Sequence, residues 1–370
     1  MAWLNGRVER QLVTALLLVA LLVSCGVAGR AGAPDPVDPT ATLEDPTAVA
    51  AEPSADDPAT ATAEPSDEPS AAPSVAGAAS SKPSASSKPS APPSQPAPAT
   101  NTAIPPTPTR APSTSPLATR RLVTYYGHPF SSQMGILGEF DDPEAMMAKL
   151  KEQTAAYTAA DPSRPGLCTI ELIASVAQGD AGADGLWLLR TPPEVIERYS
   201  QLAEKHGCLL LLDIQMGYDT VANDIKAIMP FLQRPHVHLA IDPEFHVDKG
   251  EVPGEHYGHI SAADVTNAGK VLGDLVRQYK LPDKILVVHQ FRDDMLPDKE
   301  KIKPMANVDL VVMMDGWGGM PAKIGNYNYF VGEQLIQFGG IKVFYRQDDP
   351  VMTPEQVLEL DPKPLVICYQ

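Results

Sequence analysis

The 370-residue chain carries 29 Lys+Arg against 46 Asp+Glu, a formal charge of −17, with 44% hydrophobic and 6% aromatic residues. An acidic balance without a basic stripe excludes a nucleic-acid footprint, so no nucleic-acid partner is expected. Of the 38 prolines, 20 precede residue 119, and no aromatic residue stands between Trp3 and Tyr125, so a packed core has to begin near Tyr125.

At the N-terminus Arg7 and Arg10 precede an apolar run over 12–23 that ends in Leu22-Val23-Ser24-Cys25. The run is short for a bilayer span and suits a cleaved secretory signal. Its end resembles a bacterial lipobox, in which cleavage before the cysteine leaves the thiol and the new N-terminus acylated. That resemblance implies a signal peptide over 1–24 and lipidation at Cys25, with the mature protein held by two or more acyl chains on the extracytoplasmic face of a membrane. Residues 25–118 then read as a tether of Pro, Ala, Ser, Thr and acidic residues. Such a composition cannot offset its ordering entropy by burial, and 30–117 as a coil would reach about 50 Å.

Residues 119–370 hold 23 Lys+Arg and 35 Asp+Glu and change character. Eight short apolar, β-rich runs occur at 122–126, 167–173, 208–214, 237–241, 285–289, 308–313, 341–345 and 365–369. Helical periodicity fills stretches between them at 143–160, 193–206, 221–232, 261–279 and 329–338. Strand and helix alternating eight times in about 250 residues predicts an α/β (β/α)8 TIM barrel, a monomer by expectation. A doubly wound open sheet is the alternative, but no Gly-x-Gly-x-x-Gly follows the first run.

In such a barrel, chemistry sits at the C-terminal ends of the strands. Those positions are polar here: His128 after the first run, Asp213 and Gln215 at the third, and Asp242, Glu244 and His246 after the fourth. His289, Gln290 and Arg292 follow the fifth, Asp315 and Trp317 the sixth, and Tyr345, Arg346, Gln347 and Asp348 the seventh. The sharpest element is Ala240-Ile241-Asp242-Pro243-Glu244. Residues two apart on a strand face the same way about 6.6 Å apart, so the two acids should share the mouth. Close carboxylates push one pKa upward, as a general acid near neutral pH requires.

Tyr125-Tyr126-Gly127, Asp242-x-Glu244 and the Asp309–Asp315 segment with Gly318 resemble the chitinase-like glycoside hydrolases. The resemblance implies Glu244 as proton donor, Asp242 orienting an acetamido group of the substrate, Asp315 assisting, and a carbohydrate ligand or substrate. Tyr126, His128, Asp213, Gln215, His289, Trp317, Tyr345 and Arg346 complete the expected sugar site. Trp317, Tyr218, Tyr257 and Trp187 are candidate platforms for a pyranose face. The chain departs from the family at Ala240, at Met314 and in its last run, Cys368-Tyr369, which points alternatively to a non-hydrolytic sugar binder. A third reading is a metal-dependent hydrolase using His246, His289 and nearby carboxylates, although no His-Glu-x-x-His spacing is present and neither a metal nor a cofactor is expected. Cys168, Cys208 and Cys368 read as small buried residues, with Cys168 and Cys208 placed to bridge adjacent strands.

Overall fold

The computed structural model describes residues 113–370. Cys25, the signal peptide and the tether up to residue 112 lie outside the described residues.

The described chain runs β1 (Arg121–Gly127), α1 (Pro143–Ala160), β2 (Gly166–Ala177), β3 (Leu188–Arg190), α2 (Pro193–His206), β4 (Leu209–Ile214) and α3 (Val221–Leu232). It continues through β5 (Val237–Ile241), α4 (Ala262–Tyr279), β6 (Lys284–Gln290), β7 (Val308–Met314), α5 (Met320–Tyr327), β8 (Phe338–Val343), α6 (Pro354–Val357) and β9 (Val366–Tyr369). Eight strands pair in parallel in the order β1-β9-β8-β7-β6-β5-β4-β2, and β1 also pairs β2, with Tyr126 opposite Glu171. That last pairing closes the sheet into a (β/α)8 barrel and rules out the open sheet. β3 is a short antiparallel addition to β2 that no apolar run announced.

Local signals explain the helix ends. Asp142 caps α1 by accepting the Glu144 N–H at 3.0 Å, with Pro143 in the first turn. Gly207 ends α2 at φ +67°, and Ser261 with Asp264 forms a capping box on α4. The helix expected over 329–338 is displaced. Pro321 sits in the first turn of α5, a π-turn follows over Asn328–Glu333, and Phe338 already belongs to β8. Gly339 explains the fit: a Cβ there would lie 2.3 Å from Val331 Cγ1 and 2.8 Å from the Tyr327 hydroxyl.

Strand alternation sorts the side chains into two cores. Val123, Tyr125, Ile170, Leu172, Leu210, Leu212, Leu286, Val288, Ile341 and Val343 pack outward under the helices. Leu122, Tyr126, Ile173, Leu209, Leu211, Ala240, Ile285, Val287, Val311, Met313 and Cys368 fill the interior. Leu117 joins this inner group, and Ser113 and Ser115 donate to Asp309, so packing starts ahead of residue 119. Cys168 and Cys208 form a disulfide, which replaces the reading of both as free buried thiols, while Cys368 is free and buried.

Candidate active site

The inner set ends, at the C-terminal rim of the strands, in charge. Continuing the inward alternation gives Tyr126 on β1, Glu171 on β2, Asp213 on β4, Asp242 after β5, His289 on β6, Asp315 after β7 and Lys342 on β8. All are buried. Lys342 Nζ donates to Asp315 Oδ2 at 3.0 Å. His289 links Asp315 Oδ2, 2.8 Å from Nδ1, to Glu171 Oε1, 2.9 Å from Nε2. Cys368 Sγ donates to the other Glu171 oxygen at 3.3 Å. Across the barrel the Tyr126 hydroxyl donates to Asp213 Oδ2 at 3.3 Å and accepts from Gln215 Nε2 at 3.3 Å.

Above this floor opens a cleft of about 550 Å³. Asp242, Glu244, Asp315, Lys342 and Tyr126 line its base, and Trp317, Tyr257 and Phe291 stand among its walls. Asp242 caps the single turn Pro243–Phe245 by accepting the Glu244 N–H at 3.3 Å. Trp317 is 66% exposed and Tyr257 55%. The Trp317 loop is held by Asp348, which accepts the Gly318 and Phe344 N–H groups at 2.9 Å each and pairs with buried Lys323 at 2.9 Å.

The carboxyls divide electrostatically. Burial, reinforced by Asp242 and Asp315, pushes Glu244 up to about 8. Burial likewise raises Asp242 and Asp213 to about 7. Burial also opposes ionisation of Asp315, but Lys342 and His289 outweigh it and hold that carboxyl below the usual aspartate range. His289 is kept well above the ordinary imidazole value by its bonds to Asp315 and Glu171, despite its burial. At neutral pH the cleft therefore presents a protonated Glu244 and an ionised Asp315, two unlike carboxyls in one site.

Several expected site residues do not reach this cleft. Tyr345 shares the outward parity of Ile341 and Val343, stacks on Tyr369 with ring centroids 4.9 Å apart, and donates to Gln153 of α1 at 3.4 Å. Arg346 is exposed and pairs with Glu139 at 2.8 Å. His128 is buried against Phe130 with Nε2 3.2 Å from the Thr191 hydroxyl, and burial lowers it to about 4. Asp213, Gln215 and His289 lie beneath the cleft rather than on its wall, where they brace Tyr126 and Asp315. Trp187 and Tyr218 pack on each other at 5.6 Å, away from the lining. His246 bonds the His259 carbonyl at 2.6 Å and does not join His289 in any metal-type grouping among the described residues. The group that can hold a cation there is Glu171, Asp213 and His289, with one donor atom from each lying within 4.8 Å of the others.

Glu171 and Lys342 were missed. Each lies inside an apolar run rather than after it, and the signal was available. Thr169-x-Glu171-x-Ile173 and Gly340-x-Lys342-x-Phe344 put a charge at the inward parity of buried strands.

Fold and site define a (β/α)8-barrel protein with a carboxylate-rich mouth of the kind that supports acid–base chemistry. No protein-family model and no curated protein sequence matches the chain. Solved structures similar to it include a ruminal GH26 endo-β-1,4-mannanase, at 10% identity and a TM-score of 0.35, covering 68% of this chain and 60% of the mannanase. A Bacteroides ovatus GH5 xyloglucanase aligns at 10% identity and a TM-score of 0.34, over 69% of each chain. A GH18 chitinase from Pseudoalteromonas aurantia aligns at 12% identity and a TM-score of 0.31, over 68% of this chain and 93% of its own. These neighbours are glycoside hydrolases, but likeness at this level carries no argument about activity. The residues in the cleft have to carry it.

Proposed function

We propose that the barrel is a carbohydrate-active hydrolase in which Glu244 protonates the leaving glycosidic oxygen, ionised Asp315 stabilises the cationic sugar ring that develops as the bond breaks, and a water adds to the anomeric carbon and returns a proton to Glu244. The observation that carries this reading is the opposite electrostatic setting of these two carboxyls on one cleft. A general acid has to hold its proton at the working pH, and an oxocarbenium-like transition state needs a fixed negative charge beside it. Asp242 caps the turn that carries Glu244 and, where the substrate carries an acetamido group, would orient that group as internal nucleophile. Trp317 and Tyr257 supply apolar platforms for neighbouring sugar rings.

The same proposal places the protein outside the cytoplasm, anchored through lipidated Cys25. The Cys168–Cys208 disulfide supports export, because such bonds persist in oxidising compartments. Fatty-acid labelling of the wild type and its loss in Cys25→Ser test the anchor.

The activity is tested by screening the purified protein on labelled β-linked oligosaccharides, including acetamido sugars and cell-wall fragments. Glu244→Gln keeps the shape and deletes the proton donor, so turnover should fall ~10²–10⁴-fold while ligand binding persists. Binding without cleavage by the wild type would instead assign a sugar-binding protein on a barrel without hydrolytic activity. No binding to any glycan would defeat the carbohydrate reading.

A further inference from the structure

Beneath the cleft, Glu171, Asp213 and His289 form a group of their own. All three are fully buried, and none lines the cleft wall. We propose that these three side chains bind one divalent transition-metal ion inside the barrel, below the Glu244–Asp315 cleft. The proposal is independent of the hydrolase reading, since it assigns no role in bond cleavage to the ion.

The donor set suits such an ion. Imidazole with two carboxylates matches first-row metals such as Zn²⁺ or Mn²⁺, whereas Ca²⁺ and Mg²⁺ favour all-oxygen shells. Metal-binding histidines typically give their second ring nitrogen to a carboxylate, and here Asp315 Oδ2 lies 2.8 Å from Nδ1. That contact aims Nε2 at Glu171, whose Oε1 is 2.9 Å away; an ion would displace to solvent the proton that Nε2 shares with this carboxylate and take both atoms as ligands. The other ligands are braced as well, Glu171 Oε2 by Cys368 Sγ at 3.3 Å and Asp213 Oδ2 by the Tyr126 hydroxyl at 3.3 Å.

A second observation points to a ligand. Asp213 Oδ1 is buried and has no hydrogen-bond partner, an arrangement that carries a desolvation cost with nothing to offset it. An ion pair within the cluster explains how His289 meets Glu171 and Asp315, but it leaves that oxygen unmet. A cation on the three donors satisfies it.

The test uses the full-length protein, stripped with a chelator and titrated with Zn²⁺ and with Mn²⁺, reading metal content per chain and melting temperature. The expected result is one ion per chain with a rise in melting temperature for at least one of the two metals and none with Mg²⁺. Asp213→Asn should weaken binding at least 100-fold. Should that variant fail to fold, Tyr126→Phe and Cys368→Ala remove only bracing groups and should weaken it roughly 10–100-fold. Cobalt(II) in place of the ion should give a visible absorption band that His289→Gln abolishes. No stoichiometric ion at 100-fold molar excess of either metal, or binding unchanged in these variants, would overturn the proposal while leaving the Glu244 experiment standing.

Discussion

The ammonium of Lys342 sits 3.8 Å from the centroid of the Tyr126 ring while donating to Asp315 at 3.0 Å, so one buried cation joins β1, β8 and the end of β7. Burial disfavours its charge, but Asp315 more than restores it and raises its pKa above the ordinary lysine value. Replacing Lys342 by Met would leave Asp315 in the interior with only His289 to balance it. Breaking one side of a buried pair costs about 3–5 kcal/mol, so Lys342→Met should lower the free energy of unfolding in urea by roughly that amount. A loss below ~1 kcal/mol would mean that Asp315 does not depend on this cation.

How much of this was legible in the sequence depends on what each residue's neighbours reveal. The eight runs named the eight barrel strands because buried parallel strands are continuously apolar, and Asp242, Glu244, Asp315 and Trp317 followed from standing just beyond a run's end. Tyr345 ends an apolar run, but β8 stops two residues earlier at Val343, and Tyr345 packs against the outer core with Ile341 and Val343 rather than at the mouth. Glu171 and Lys342 escaped because a single charge inside an apolar run resembles noise until the partner strand is known. Their partners, His289 and Asp315, lie 118 and 27 residues away: pairing of β7 with β8 brings Asp315 to Lys342, and the curvature of the barrel brings His289 on β6 to Glu171 on β2.

The setting of Glu244 fixes a pH dependence. Its carboxyl faces Asp242, Asp315, Lys342 and His289, and burial with the two aspartates holds its proton to about pH 8. For hydrolysis, kcat/KM should be flat through neutral pH and fall with unit slope above about pH 8 as the acid is lost. Stability follows the same sign. Between 4.5, its ordinary value, and about 8, the fold keeps a proton that the unfolded chain has released, so this group's contribution declines as pH rises across that window. Urea midpoints should therefore drop from pH 5 to pH 8.5, and Glu244→Gln should flatten the drop. An activity profile rising through pH 8 would assign the proton donation elsewhere.

Leu117 stands outside the eight-strand pattern yet belongs, at 1% exposure, to the same buried inner cluster as Leu122 and Val287. Ser115 and Thr114 tie the same segment to Asp309 and Asp283. A fragment beginning at residue 113 should melt like the full chain, whereas one beginning at residue 120 loses the plug. Leu117→Ala isolates the packing contribution, for which a cost of about 2–4 kcal/mol is expected. In a domain of this size that lowers the melting temperature by roughly 2–4 °C per kcal/mol, which calorimetry on the two fragments and the point variant would measure.

The Cys168–Cys208 disulfide joins the start of β2 to the residue before β4, neighbours in the barrel wall, across a separation of 40 residues. The loop it closes contains β3 and α2, so the cross-link restricts in the unfolded chain the excursion that these elements make in the fold. For a loop of this length the chain-entropy relation gives on the order of 4 kcal/mol, most of it from the constrained unfolded state. Removing both thiols as Cys168→Ala and Cys208→Ala avoids leaving an unpaired cysteine and should cost about 3–4 kcal/mol in urea. Under reducing conditions the wild type should approach the stability of the double variant, because the other cysteine among the described residues, Cys368, is buried against Glu171 and takes no part in the bond. Equal stability of wild type and double variant under oxidising conditions would show that the bond contributes nothing to holding the second and third strands of the barrel together.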